Sequence, residues 1–231
     1  MRPMIETKAL QAKKTVALAR WLLGKHLVRR FPDGREEARM IVETEAYDGE
    51  RDLACHARAG RTKRTEVMYA AGGIWYVYLC YGVHELLNLV VGPRDWPAAI
   101  LIRGVEGAIG LGRVTKALGV DRRLNATSAA DETNDLWLED RGVRVPHRRM
   151  QAKPRVGVEY AGPIWSMKRW RFTFELPGRP QPHGQRPRLK SSPKSARAAA
   201  LAPSAPGAPT SPDRSGRKAK SPGPRTPRRG D

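Results

Sequence analysis

Cysteines and long apolar runs are scarce in this sequence. Only two cysteines occur, Cys55 and Cys80, which are too few for a disulfide framework and are typical of a reducing compartment. No stretch approaches the roughly 18 consecutive apolar residues of a membrane span. The N-terminus, "MRPMIETKALQAKK", also lacks the apolar core of a secretory signal. We therefore expect a soluble intracellular protein.

Several motifs of metal-dependent and nucleophilic enzymes are also missing. The chain has no glycine-rich phosphate loop, no Cys-x-x-Cys pair and no His-Glu-x-x-His,. Cys55, His56, Cys80 and His84 could in principle surround zinc, but neighbouring strand residues such as Cys55 and His56 point to opposite faces. No serine or cysteine lies in a recognisable nucleophile motif. We predict that the chain has no metal site.

Acidic residues are outnumbered by basic ones. The chain has 43 Lys and Arg against 23 Asp and Glu, a formal net charge of +20. Such a charge attracts polyanions, either nucleic acid or an anionic membrane. A basic, solvated surface without any partner would give the same count.

The composition changes sharply near residue 177. Residues 180–231 contain 11 of the 19 prolines, 12 Lys or Arg, two Asp and no aromatic residue, so their net charge is 12 − 2 = +10. A segment of this composition cannot bury enough apolar surface to offset the entropy lost on ordering. We therefore predict one domain over residues 1–179 and a disordered basic tail over residues 180–231. The tail favours nucleic-acid contact, although a solubilising extension would look the same.

The hydrophobic patterns of the predicted domain contain more strands than helices. We predict helices in "TVALARWLLGKHL" and "GRVTKALGV", the second ended by Gly119, and one hairpin around the Pro-Asp-Gly turn,. A second hairpin is predicted around Gly82, and single strands in "AAILIRGVEG", "PRVGVEYAG" and "WRFTFEL",. Because the strands follow one another directly, we expect a single α+β domain with a mostly antiparallel sheet flanked by helices.

The stretch "IVETEAYDGERDLACHA" has an unusual strand pattern. Glu43, Glu45 and Tyr47 alternate with apolar or small residues, so an extended chain places all three on one face. Carboxylates on such a face are either exposed to water or take part in chemistry.

Aromatic residues cluster in the second predicted hairpin. Tyr76, Tyr78 and Cys80 share one strand face, and Tyr81 precedes the turn at Gly82,. An aromatic stripe is most often core packing. Next to a basic surface, however, aromatic faces are also what a protein uses to stack and hold unpaired bases.

These segments, read in order, resemble the alkyladenine (3-methyladenine) DNA glycosylase family of the mammalian type. The resemblance covers about residues 17–174. It rests on "IVETEAYDGERDLACHARAGRTKRTEVMYAAGGIWYVYLCYGVHELLNLVV", which is followed by "AAILIRGVEG", and it includes "GRVTKALGV" and "PRVGVEYAG". It implies a curved antiparallel sheet and a protruding, DNA-intercalating hairpin. It also implies excision of 3-methyladenine, 7-methylguanine, hypoxanthine and ethenoadenine from double-stranded DNA, with no membrane partner and, in a bacterium, a place in the cytoplasm near the nucleoid.

The resemblance assigns roles to three hydrolytic groups. Glu45, the second Glu of "VETEAY", corresponds to the catalytic base, and Arg103 and the backbone carbonyl of Val156 correspond to the groups that hold the attacking water. Arg103 could equally be an internal ion-pair partner, and Glu43 is expected to be a bystander that pairs with an arginine.

Four further residues correspond to groups that bind the base, and a fifth corresponds to a group that enters the duplex. Tyr47 and Tyr78 correspond to the walls that stack on a flipped base, and His56 contacts it. Tyr81 corresponds to the residue that wedges into the duplex, and Asn88 to the asparagine that discriminates purines at their 2-position.

The chemistry fits these residue types. A carboxylate stabilises the cationic sugar that forms as the base departs and takes a proton from the attacking water. No lysine stands in a position to form a Schiff base, so we expect a monofunctional enzyme that uses water and no cofactor. Phosphate contacts are expected from the run "RAGRTKR", in particular Arg61, Lys63 and Arg64, although a solvated loop would look identical,.

Some features depart from the family pattern. Cys55 directly precedes His56, Thr65 stands where an asparagine is expected and could loosen a hydrogen bond there, and "YAGPIWSMKRW" has one extra residue. Two other functions stay open: a non-catalytic DNA-binding protein that retains the fold, and a hydrolase of free nucleosides. Nothing in the sequence marks an oligomer interface, so we expect a monomer.

Overall fold

The computed structural model describes residues 3–176. The predicted tail of residues 180–231 and its boundary lie outside the described residues, so both stay predictions. Within the described part, no helix is long and apolar enough to cross a membrane.

The described residues form four short helices and nine strands. The helices are α1 (Thr7–Leu10), α2 (Thr15–Trp21), α3 (Arg113–Leu118) and α4 (Gly162–Ser166). The strands are β1 (His26–Arg30), β2 (Glu36–Asp48), β3 (Trp75–Cys80), β4 (His84–Val91), β5 (Ala98–Val105), β6 (Ala108–Ile109), β7 (Leu136–Glu139), β8 (Met150–Lys153) and β9 (Arg171–Phe174).

The strands form one antiparallel sheet with the order β3-β4-β5-β2-β1-β7. Strand β6 pairs with β5, β9 pairs with β2, and β8 pairs with β9. The long strand β2 therefore joins both ends of the sheet, pairing with β1 through its first half and with β5 and β9 through its second. This architecture confirms the α+β class and the mostly antiparallel sheet.

One face of the sheet packs on α2 and forms the main core. Trp75, Leu89 and Ile100 are fully buried on this face, and the Thr44 hydroxyl donates a hydrogen bond to the Ala19 carbonyl of α2 over 2.8 Å. Because successive strand residues point to opposite faces, the alternate residues of β2–β5 project from the other face, which α2 does not cover.

Most of the predicted elements are present. Both hairpins, the buried strand β5, the helices α2 and α3 and the last strand are found where the patterns predict them, and Gly119 ends α3 in a left-handed conformation with φ +58°. The prediction of a strand in "PRVGVEYAG" is wrong. Gly157 has φ +73° and residues Glu159–Ala161 form a 3-10 turn, so the chain cannot stay extended there. Strands β7 and β8 were not predicted.

Candidate active site

A row of directly paired residues crosses the face of the sheet that α2 does not cover. Tyr76 faces Asn88, Asn88 faces Leu101, and Leu101 faces Glu45 on four adjacent strands. Arg171 faces Glu45 from the other side of β2. Directly opposed residues of an antiparallel sheet project to the same side, so this register brings together residues that lie far apart in the sequence.

A cavity of about 630 Å³ lies over this row. The row forms its floor, the chain that follows β2 forms one wall, and the chain that follows β8 forms another. The lining includes nearly all residues that the sequence assigned to a site: Glu45, Tyr47, His56, Arg64, Tyr78, Tyr81, Asn88, Arg103 and Val156. Arg61 and Lys63 are not part of it.

Glu45 is held on the cavity floor by three groups. The Tyr47 hydroxyl donates to Oε2 over 2.8 Å, and the Val156 backbone N–H donates to Oε1 over 3.2 Å. The Arg103 Nε lies 3.2 Å from Oε1. The side chain is only 1% exposed, and burial raises the pKa of Glu45, whereas the Arg103 charge and the two hydrogen bonds lower it. A desolvated carboxylate fixed in this way suits proton abstraction.

A double irregularity in the β2–β5 pairing aims Arg103 at the site. Strand β2 carries one extra residue between the pairs Ile41–Val105 and Glu43–Gly104. Strand β5 carries one extra residue between the pairs Glu43–Gly104 and Thr44–Ile102, and that residue is Arg103. Bulges of this kind redirect side chains beside functional sites.

Arg103 consequently bridges two carboxylates. Its Nη1 lies 2.7 Å from Glu43 and its Nε 3.2 Å from Glu45, and Arg171 also contacts Glu43, over 2.9 Å. Glu43 pairs with arginine as predicted. Arg103 is an ion-pair partner and also lines the cavity, so the two alternatives for this residue do not exclude each other.

Aromatic rings form one side of the cavity. The His56 and Tyr78 ring centroids are 4.7 Å apart and those of Tyr76 and Tyr78 are 5.1 Å apart. His56 Nδ1 lies 3.1 Å from the Tyr76 hydroxyl, and Asn88 Nδ2 donates to the Tyr76 carbonyl over 3.1 Å. Burial and the charges of Arg64 and Arg58 lower the pKa of His56 to about 4, so the imidazole is neutral near pH 7.

Tyr81 lies at the tip of the β3–β4 hairpin. The side chain is 82% exposed, and the turn is closed by a hydrogen bond from the Val83 N–H to the Cys80 carbonyl over 3.1 Å. Tyr81 has φ +50° and Gly82 has φ +68°. A left-handed conformation is unfavourable for a tyrosine, and such strain is concentrated at functional sites.

The predicted phosphate contacts have different surroundings. Arg61 pairs with Glu66 and Asp95, so its charge is already matched. Lys63 is exposed. The Arg64 guanidinium lies 5.0 Å from the Tyr78 ring centroid, at the cavity.

Arg58, from the same run, lies at the cavity mouth. Its guanidinium lies 4.6 Å from the Tyr160 ring centroid, and its Nη1 donates to the Leu53 carbonyl over 2.8 Å. Arg58 and Arg64 are thus two cations that flank the opening, each beside an aromatic ring.

The departures from the family pattern have simple structural roles. Cys55 is buried, and burial raises the pKa of its thiol to about 12, so it is not a nucleophile near pH 7. The Thr65 hydroxyl accepts from the Thr62 N–H over 2.8 Å and donates to the Gly60 carbonyl over 2.9 Å, so the loop retains hydrogen bonds at this position. No group of three His, Cys, Asp or Glu that could hold a metal occurs in residues 3–176.

No pattern in the sequence predicts the buried ion pair between Asp52 and Arg155. Both side chains are 0% exposed, and they lie behind Tyr47, whose ring centroid is 4.9 Å from the Arg155 guanidinium. The two residues are 103 positions apart in the sequence, which explains why no local pattern indicates the pair.

Comparison with known proteins identifies the family. The family model for methylpurine-DNA glycosylase matches residues 9–111 and 106–176. A protein of Psychrobacter cryohalolentis is 39% identical over 192 residues, covering 71% of this chain and 87% of that protein. A protein of an Anaeromyxobacter species is 43% identical over 171 residues, covering 71% of this chain and 86% of that protein. A protein of Methanocella arvoryzae is 42% identical over 180 residues, covering 69% of this chain and 87% of that protein. All three carry the name "Putative 3-methyladenine DNA glycosylase". The chain therefore belongs to the methylpurine-DNA glycosylase family.

Proposed function

We propose that this DNA glycosylase takes alkylated and deaminated purines, namely 3-methyladenine, 7-methylguanine, hypoxanthine and ethenoadenine, out of duplex DNA and hydrolyses their N-glycosidic bonds. Water activated by Glu45 is the nucleophile, and the product is an abasic site. The observation that carries the proposal is a buried carboxylate, held by three groups, on the floor of a cavity walled by aromatic rings.

The hydrolytic step uses the groups around Glu45. As the base leaves, the sugar gains positive charge, which the carboxylate stabilises while it accepts a proton from the water. Arg103 and the Val156 carbonyl complete the water site. Among the described residues no lysine lines the cavity, which supports water as the nucleophile and a monofunctional enzyme. The proposed reaction uses no cofactor.

The aromatic side of the cavity would bind the extruded base. Tyr47 and Tyr78 provide faces that attract cationic purines by about 1–2 kcal/mol when desolvated. The neutral state of His56 matters here, because a protonated imidazole would repel the same bases. Asn88 lines the cavity and would exclude a 2-amino group at the edge of the bound base, and Tyr81 would fill the gap left in the duplex.

Phosphate contacts are assigned to Arg58, Arg64 and Lys63 rather than to Arg61, whose charge is matched by carboxylates. We expect Arg58→Ala to lower the slope of log Kd against log salt by about 0.9 for a lesion duplex, because one phosphate contact is lost. Arg61→Ala removes the same formal charge and is the matched control, with a smaller expected change. An equal change in both variants would show that only total charge matters.

Single-turnover excision from duplexes that carry one 7-methylguanine, hypoxanthine or ethenoadenine tests the proposed function. We expect strand scission after alkali and no scission without it, because the product is an abasic site and not a nicked strand. Binding of lesion duplex without scission would support the non-catalytic alternative. Release of base from free nucleosides but not from duplex would support the nucleoside hydrolase.

A further inference from the structure

The Asp52–Arg155 pair has no direct part in the hydrolysis proposed above, yet it lies immediately behind the site. Arg155 Nη1 is 2.5 Å from Asp52 Oδ2, and Nη2 is 2.9 Å from Oδ1, a two-point contact between side chains that are both 0% exposed. Removing two charges from water costs about as much free energy as their attraction returns. Net stabilisation alone is therefore a weak reason for this pair.

The pair is hydrogen-bonded to three separate segments. Arg155 donates to the Ala46 carbonyl over 2.8 Å and to the Trp165 carbonyl of α4 over 3.3 Å. Asp52 accepts hydrogen bonds from the backbone N–H groups of Asp48 over 3.1 Å and Ala54 over 3.0 Å. The end of β2, the chain that leads to His56 and the chain that follows β8 thus meet at one ion pair.

The pair contacts a sequence neighbour of Glu45 and is itself next to a residue that donates a hydrogen bond to Glu45. Ala46 directly follows Glu45 in β2, and Val156, whose N–H donates to Glu45, directly follows Arg155. We propose that Asp52 and Arg155 are positioning residues, which fix the separation between Glu45 and the wall at Val156 where the attacking water is held. This inference rests on the proposed function. Neither residue is part of the cavity lining.

The expected result of losing the pair is a change in chemistry rather than in binding. Without it, the chain of residues 154–158 loses its contact with the Ala46 carbonyl of β2 and keeps the Val156 N–H contact to Glu45. A displacement of about 1 Å between reacting groups lowers a rate by about 10²-fold. Affinity for the lesion duplex depends on the aromatic and cationic rim and is expected to stay within about threefold, since these rim groups are unchanged.

The experiment compares Asp52→Leu/Arg155→Met, which removes both charges and leaves none buried alone, with the wild type. The readouts are the plateau of the single-turnover excision rate, the enzyme concentration at half-saturation and the Tm. We expect a plateau about 10²-fold lower and an unchanged half-saturation concentration. We also expect a lower Tm, because the four backbone groups that are bonded to the pair lose their partners,. Arg155→Lys keeps the charge but not the two-point contact. We expect its plateau rate to lie between those of the wild type and the double variant.

Lys25→Met is the matched control. It breaks the Lys25–Asp140 ion pair, in which the two charged groups are 2.9 Å apart and the lysine side chain is only 1% exposed. Neither residue is part of the cavity lining. A double variant that cuts at the wild-type rate overturns the inference. If the double variant is unfolded, an unreduced plateau for folded Arg155→Lys overturns it instead. If the wild type and Lys25→Met both fail to cut any lesion duplex, the proposed function fails, which is a separate result.

Discussion

Glu45→Gln is expected to lower the single-turnover excision rate by about 10³-fold, with little change in Kd for the lesion duplex. Glutamine has the same shape as glutamate and can keep a contact with the Val156 N–H, but it cannot take a proton from water or stabilise a cationic sugar. Excision would be followed as alkali-labile strand breaks, and binding by titration of the same duplex.

Glu43→Gln is the control for that experiment. Glu43 lies on the same strand, is 3% exposed and pairs with Arg103 and Arg171, but it is not part of the cavity lining. We expect at most a tenfold loss, roughly the effect of a changed electrostatic neighbour. Equal rates for wild type and Glu45→Gln would mean that Glu45 is not the base.

Arg103→Met is expected to lower the excision rate by about 10²-fold near pH 6 and by less near pH 8. The Arg103 charge lowers the pKa of Glu45, so its removal raises that pKa further above the ordinary value for glutamate. Glu45 must be ionised to act as a base. The acid side of the rate–pH profile therefore moves to higher pH, and raising the pH recovers part of the activity.

Arg103→Lys separates charge from geometry in the same profile. Lysine keeps a positive charge but not the fork that reaches both carboxylates, so we expect a lower rate with the acid limb near its wild-type position. The measurement is the single-turnover rate between about pH 5 and pH 9. Parallel profiles for wild type and Arg103→Met would mean that Arg103 does not set the ionisation of Glu45.

The two hairpins and the strand β5 were predictable because their signals are local, whereas the short strands β6, β7 and β8 were not predicted. The Pro-Asp-Gly turn marks the first hairpin and Gly82 the second, and both turns are where the residues indicated,. "PRVGVEYAG" misled because alternating valines resemble a strand, whereas the backbone of Gly157 and the tie from Arg155 to Asp52 hold it as a loop. Tertiary contacts decided this segment.

The composition of the site was predictable only through the family resemblance. Residue spacing alone does not show that Asn88 and Leu101 continue a row from Tyr76 to Glu45, because strand register is set by the whole sheet. Three other features likewise depend on contacts between segments that are remote in the sequence. They are the bulge that redirects Arg103, the carboxylates that pair with Arg61 and the partner of Asp52.

The row of directly paired residues limits how this protein can vary. Deleting one residue from β4 or β5 would exchange the two faces of that strand, so the side chains of the cavity floor would enter the core and the core side chains would enter the cavity. We expect a protein with such a deletion to lose its folding and its activity together, rather than to keep part of the activity. Length changes are therefore expected to accumulate in the connecting loops, where they leave the register of the sheet unchanged.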